Sequence, residues 1–287
     1  MTMKKILSLM FVFCALSTAV MAQEDAYTKE FYNYLKAGWG NTASQEIGAD
    51  SYATVFAALL SEMPDSPYKT TAEINSAAAR LAKKYNDEQA MLDVAAIMAP
   101  SFKKHLSLNE LKEVNKTIRS DKKLFEIGNK LGNKEIITNM SAVITQSMLS
   151  SMTKIAQGEE PDPMLTAKEK EDKLYIAVEE YCKSCGVNEL MTGSFAQGLA
   201  SLSGNEEQQR IMNALMQYIA KEIPSAYYSS VKGRVTTEEI VYITEFYNSP
   251  LGKKLVAGTT ESMSNPMALG EGVMVKVAEW LSIQTLN

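Results

Sequence analysis

Apolar residues along this chain recur at helical spacing, and no stretch alternates long enough to read as a strand. Tyr27, Phe31, Tyr34 and Leu35 form the i, i+4, i+7, i+8 stripe of a helix over Ala26–Trp39, which Gly38 and Gly40 break. Ser51–Met63 is a second apolar helix, closed by Pro64. Thr70, with Glu73 three residues on, is a capping-box signature opening a helix through Ile74, Ala78, Leu81 and Tyr85. Asn86-Asp87 interrupts it, and Ala90–Met98 resumes until Pro100. Ser107 and Glu110 open the next helix, striped by Leu111, Val114 and Ile118. Ser120–Lys134 reads as a basic, polar connection into a methionine-bearing helix, Ile136–Met152. In the second half, Thr166 and Glu169 start a helix that runs to Cys185, with Gly186 just past its end. Asn188–Leu202 and Glu206–Ile223 follow, the latter stopping at Pro224. Thr236 and Glu239 then cap a helix striped by Ile240, Ile243 and Tyr247. Ser249-Pro250 and Asn265-Pro266 each restart a helix with proline at its first position, where the missing N–H costs nothing. The fold class is all-α and bundle-like, with ten or so helices.

The pattern also repeats. Ser107–Ser120 aligns with Thr236–Ser249 without a gap, matching cap, acid, stripe and closing serine. A Lys-Lys-Leu follows each, at 122–124 and 253–255, and Pro100-Ser101 and Pro224-Ser225 precede them in the same order. This order predicts a tandem duplication of two related multi-helix units. The seam is the acidic, proline-bearing stretch within 157–165, between units at 23–156 and 166–287.

Residues 1–22 have the form of a signal peptide: Lys4-Lys5, the apolar run Ile6–Leu16, and a small-residue cleavage site ending at Ala22. The run is short for a membrane span, and no later segment approaches one. The expected protein is therefore exported, periplasmic or secreted, with no span left after cleavage. The chain carries 29 basic and 34 acidic residues, and two of the bases leave with the signal. That acidic balance offers no electrostatic footprint for nucleic acid.

Thr236–Leu255, TTEEIVYITEFYNSPLGKKL, resembles the bacterial family known as domain of unknown function 2059. That family carries an F-Y-x-[ST]-P-x-G-[KR] corner, supplied here by Phe246, Tyr247, Ser249, Pro250, Gly252 and Lys253. Cys185-Gly186-Val187-Asn188-Glu189-Leu190-Met191 is similar to the family's small-Gly-x-x-Glu-hydrophobic-Met run. The likeness covers roughly 174–281. It implies an exported, all-helical protein and no assigned activity. The first half lacks both the aromatic pair and the Pro-x-Gly corner.

Chemistry is sparse. Cys182-Lys183-Ser184-Cys185 could be a structural disulfide, a pair of unpaired thiols, a redox pair or half a zinc site. Gly186 places it at a helix C-terminus, where the dipole disfavours the thiolate that redox chemistry needs. The one histidine, His105, limits triad mechanisms, and there is no metalloprotease helix, phosphate loop or dinucleotide fingerprint. Glu179-Glu180 and Glu238-Glu239 read as dipole partners and caps rather than a glycosidase pair. No metal, cofactor or catalytic residue is expected, and the reading leans away from an enzyme. The expected function is a binding or interaction module of the cell envelope. It would take another protein or a small apolar ligand between helices, beside the corner of Phe246, Tyr247, Pro250 and Gly252. The alternative is a thiol–disulfide redox protein acting through Cys182 and Cys185.

Overall fold

Helix starts in this chain are written into short polar boxes, and each anticipated box closes. In the computed structural model, which describes residues 26–39, 49–62, 67–85, 87–189, 191, 205–264 and 266–286, Thr70, Ser107, Thr166 and Thr236 each accept the N–H of the glutamate three residues on. That glutamate's carboxylate returns to the cap's own N–H. Asn205 and Gln208 form a fifth box, which the sequence reading had not singled out. The elements are α1 Ala26–Tyr34, extended by a π-helical turn Leu35–Trp39, α2 Ala49–Glu62, α3 Thr71–Lys84, α4 Asp87–Lys103, α5 Leu108–Ser120 and α6 Lys122–Leu131. They continue as α7 Lys134–Ala156, α8 Ala167–Lys170, α9 Lys173–Ser184, α10 Glu206–Val231, α11 Thr237–Asn248, α12 Pro250–Met263 and α13 Pro266–Leu286. The described residues hold no strand. The signal peptide, Gly40, Pro64 and nearly all of Asn188–Leu202 lie outside them.

Three expectations are corrected. The polar connection expected over Ser120–Lys134 is α6, because Leu124, Ile127 and Leu131 bury one face between solvated lysines and Asp121 caps its start. Pro100 and Pro224 do not stop helices but lie inside α4 and α10. An interior proline costs a helix about 3 kcal/mol. Around Pro224 the buried Ile219, Ile223, Ala226, Tyr228 and Val231 offset that cost through packing. The helix expected from Thr166 to Cys185 is broken: α8 ends within a turn, and Asp172 caps α9 anew by accepting the Leu174 N–H.

Contacts group the chain into two compact units, neither contiguous in sequence. The first comprises residues 1–33, 43–99 and 267–287, and the second 34–42 and 100–266. In the first, Tyr52, Phe56 and Leu60 of α2 pack with Ala77, Ala78 and Ala82 of α3 and with Val277 and Leu281 of α13. Tyr85 stands edge-on to Tyr52, Phe56 and Trp280, with ring centroids 5.0, 5.7 and 5.2 Å apart. Its buried hydroxyl donates to Asp93, so the phenol is satisfied inside an otherwise apolar core.

The second unit contains two helical hairpins, α5–α6 and α11–α12, packed reciprocally: α6 lies on α11 and α5 on α12. In each, a lysine from the opposite hairpin grips the capping-box glutamate, Lys254 on Glu110 and Lys130 on Glu239. Tyr242 donates to Asp121 at 2.7 Å across the same contact. The acidic stretch read as a seam, 157–165, lies within this unit.

The Lys254 hydrogen bond, with the Ser107 N–H and hydroxyl, pulls the Glu110 carboxyl down to about 2. Because the folded pKa is depressed, the stabilisation is present above the unfolded value near 4.5 and is lost as pH falls through about 2. Lys254→Ala should raise the Glu110 pKa toward the ordinary carboxylate range and shift the acid unfolding transition to higher pH. An NMR titration of the Glu110 side chain that matches wild type would contradict this.

Candidate functional site

The described residues of the second unit form a concavity whose wall is the segment read as a linker. Helix α7 ends in a left-handed glycine cap. Gly158 adopts φ +79°, its N–H donates to the Ile155 carbonyl, and the Glu159 N–H donates to the Lys154 carbonyl at 2.8 Å. The chain then crosses α10 as an arch. Lys154 holds Asp162 at 2.7 Å, and the Tyr218 hydroxyl donates to the Asp162 carbonyl at 3.0 Å while also meeting Ser147. At the far end the Met164 N–H and the Lys170 ammonium donate to Glu222, at 3.2 and 3.1 Å. Glu222 is only 1% exposed, so this buried carboxylate fixes where the arch lands.

Between arch and helix lies a cleft of about 540 Å³. Glu159, Glu160, Pro161 and Pro163 line the arch side, and Arg210, Ala214, Gln217 and Lys221 line the helix side. Those four fall at i, i+4, i+7 and i+11, so they share one face of α10. Arg210 is braced by Glu207 and reaches the Ala156 carbonyl. The cleft therefore has Glu159 and Glu160 on the arch side, and on α10 Arg210, paired with Glu207, Lys221 and the buried Glu222, with Tyr218 between. The sequence reading missed it because Glu222, its anchor, is remote from the arch in sequence.

The thiols are elsewhere. Cys182 and Cys185 are free and buried, the unpaired-thiol reading among those the spacing allowed, and no disulfide joins them. Cys182 lies in the last turn of α9 and Cys185 caps it, with Cys185 Sγ over the Cys182 carbonyl oxygen, at 4.0 Å, as a weak donor. Tyr181, whose ring packs near Tyr227 and Tyr247, lies against them in the same turn. Burial pushes the Cys185 thiol up to about 12 and raises Cys182 as well. Thiol–disulfide exchange proceeds through the thiolate, which this buried surrounding disfavours. Gly186, at φ +71°, follows as the anticipated left-handed cap.

The remaining candidates have structural partners. His105 Nε2 lies 2.7 Å from Glu261, whose other oxygen holds Lys104. Glu179 pairs with Lys183, and Glu239 serves its cap and Lys130. Among the described residues no group of three His, Cys, Asp or Glu side chains could hold a metal ion. No helix there is long and apolar enough to cross a membrane.

The corner places Phe246 and Tyr247 half-buried at the end of α11, Pro250 exposed at the start of α12, and Gly252 buried. Ser249 is both the last cap of one helix and the first of the next: its hydroxyl donates to the Phe246 carbonyl and accepts the Gly252 N–H at 3.1 Å. A nearby depression of about 330 Å³, lined by Thr237, Glu238, Val241, Tyr242 and Glu245, lies on the outer face of α11 rather than at the corner. The corner is thus a joint between helices.

Residues 233–279 match the family model described as an uncharacterized protein conserved in bacteria (DUF2059). The DUF2059 segment contains α11, α12 and the first part of α13, and therefore the corner, but neither the thiols nor the arch. No curated protein and no solved structure matches the chain.

Proposed function

We propose that this chain is an exported binding protein, without catalysis of its own, that holds an extended polar segment of another protein in the cleft beneath the arch at 157–165. The observation that carries the reading is the arch itself: anchored at both ends, it walls a cleft with acids on the arch side and the exposed base Lys221 on the helix side. A prearranged groove binds at lower entropic cost than a mobile loop. Acid on one wall and base on the other suit a polar backbone with mixed charges better than a small apolar ligand. Export is supported by the signal-peptide pattern. The reciprocal hairpins in the second unit support the expected duplication of a capped-helix unit. Thiol exchange through Cys182 and Cys185 has no comparable support.

The test is affinity capture from bacterial envelope extract, comparing wild type with Lys221→Glu. Lys221 is exposed on the cleft wall, so reversing its charge should leave folding intact. It should weaken capture of the cleft's protein partner on the order of tenfold. Equal recovery on both baits, or no reproducible protein on wild type, would overturn the proposal.

A further inference from the structure

Several polar groups lining the cleft beneath the arch are already engaged. Arg210 is held by Glu207 at 3.0 and 2.7 Å and donates to the Ala156 carbonyl. Tyr218 donates to the Asp162 carbonyl, and the buried Glu222 accepts the Met164 N–H and the Lys170 ammonium. Other lining side chains are left over. Glu159 and Glu160 on the arch, and Gln217 and Lys221 on α10, are exposed, and their side chains have no hydrogen bond or ion pair among the described residues.

The engaged groups fix where the free ones stand. Arch and α10 run alongside each other, with Ala156 opposite Arg210, Asp162 opposite Tyr218 and Met164 opposite Glu222. Glu159 is midway between the first two of these contacts on the arch, as Ala214 is on the helix. Glu159 and Glu160 therefore stand level with Ala214. Lys221 lies about two helical turns further on, or ~10 Å along the axis. The free acids thus line the arch wall toward one end of the cleft, and the free base lines the helix wall toward the other. Gln217 lies between, on the face of α10 that carries Lys221.

An extended chain answers this spacing in one way. It rises about 3.3 Å per residue, so ~10 Å corresponds to about three residues. Successive side chains point to opposite sides, so residues an odd number apart address opposite walls. Positions i and i+3 meet both conditions, whereas i+2 and i+4 send both side chains to the same wall as i. The Gln217 amide both donates and accepts, which suits the main chain passing between the two charges.

We propose that the cleft selects segments carrying a lysine or arginine and an aspartate or glutamate three residues apart. This rests on the reading of the cleft as the site of an extended segment of another protein, and it adds the charge pattern of that segment. The basic side chain pairs with Glu159 and Glu160, the acidic one with Lys221, and Gln217 bonds the main chain between them. Either order of the two charges fits, because an extended chain enters a cleft in either direction. Exposed pairs contribute modestly, so the pattern decides which segment is held more than how tightly.

Fluorescence anisotropy of the signal-cleaved chain with labelled serine–threonine peptides reads the pattern. One peptide carries a lysine and a glutamate three residues apart, and two others carry the same pair two or four apart. Wild type should hold the three-residue spacing about fivefold more tightly than either neighbour. Lys221→Glu should lose that preference and favour a Lys-x-x-Lys peptide by a similar factor. Glu159→Gln combined with Glu160→Gln should lose the spacing preference too. All three side chains are exposed, so both variants should keep the wild-type circular dichroism spectrum. Equal affinity for the three spacings, no binding of any, or a wild-type preference in Lys221→Glu would overturn the proposal. If capture from envelope extract still depends on Lys221, the cleft remains a protein site and only the charge pattern falls. If that capture fails as well, the reading of the cleft falls with it.

Discussion

Gly252→Ala should be the most damaging single-methyl change in this protein, lowering unfolding stability by about 3–5 kcal/mol in urea denaturation. A Cβ at this position would lie 2.0 Å from the Phe246 carbonyl oxygen, 2.7 Å from Tyr247 Cα and 2.8 Å from the Tyr247 oxygen. All three are backbone atoms of the last turn of α11, so no side chain can rotate away. The corner must open, and the Ser249 hydroxyl bonds that join the two helices open with it. Those helices form one hairpin of the reciprocal pair, so the damage spreads to the α5–α6 contact. Gly258→Ala provides the comparison. Its Cβ would meet the Phe102 ring at 2.7 Å, and a ring can shift where a backbone cannot. Gly258→Ala should therefore cost less. A Gly252→Ala protein within about 1 kcal/mol of wild type would show that the corner is not a close backbone approach.

The second large effect is expected at Glu222. Glu222→Ala should cost about 2–4 kcal/mol, because it strands a lysine that has lost its counter-charge and leaves the Met164 N–H without its acceptor. The figure sits below that of a fully buried pair because the Lys170 side chain is 28% exposed and water can screen it. Glu222→Gln should be milder, since the amide oxygen still accepts one hydrogen bond. The distinguishing readout is local. With its landing point gone, the arch should become a preferred protease site under native conditions, ahead of global unfolding. Cleavage within 157–165 no faster than wild type would mean that Glu222 does not anchor the arch.

Much of this architecture is legible in the sequence, and the reason is range. A capping box closes within four residues, so Thr70, Ser107, Thr166 and Thr236 announce their helices without help from the rest of the chain. Ser249-Pro250 likewise marks a helix start, because both halves of the motif act locally. The reading failed where local cues were outvoted. Lysines disguised the short apolar stripe of α6, and prolines at 100 and 224 are breakers by propensity. Burial of a long flanking surface exceeds the few kcal/mol an interior proline costs.

The corner and the arch differ in the same way. Phe246, Tyr247, Pro250 and Gly252 are conspicuous in sequence, and a tight joint between helices accounts for Ser249, Pro250 and Gly252 among their neighbours. The arch looked like filler because prolines and acids signal a loop, while its constraints come from partners far along the chain: Tyr218 and Glu222 on α10. The cysteine spacing left a disulfide, free thiols, redox chemistry and half a zinc site open, and only the fold shows two buried free thiols at the end of α9.

The chain's own sequence determined that the protein is helical, where most of its helices begin, and which segment matches a bacterial family model. Apolar periodicity and capping chemistry are interactions between near neighbours. Tertiary structure alone decided which hairpins pair, that two prolines stay inside helices, that the thiols remain free, and that an apparent linker is an anchored arch. Each of these depends on burial and hydrogen bonds between residues far apart in sequence, whose free energies no local pattern encodes.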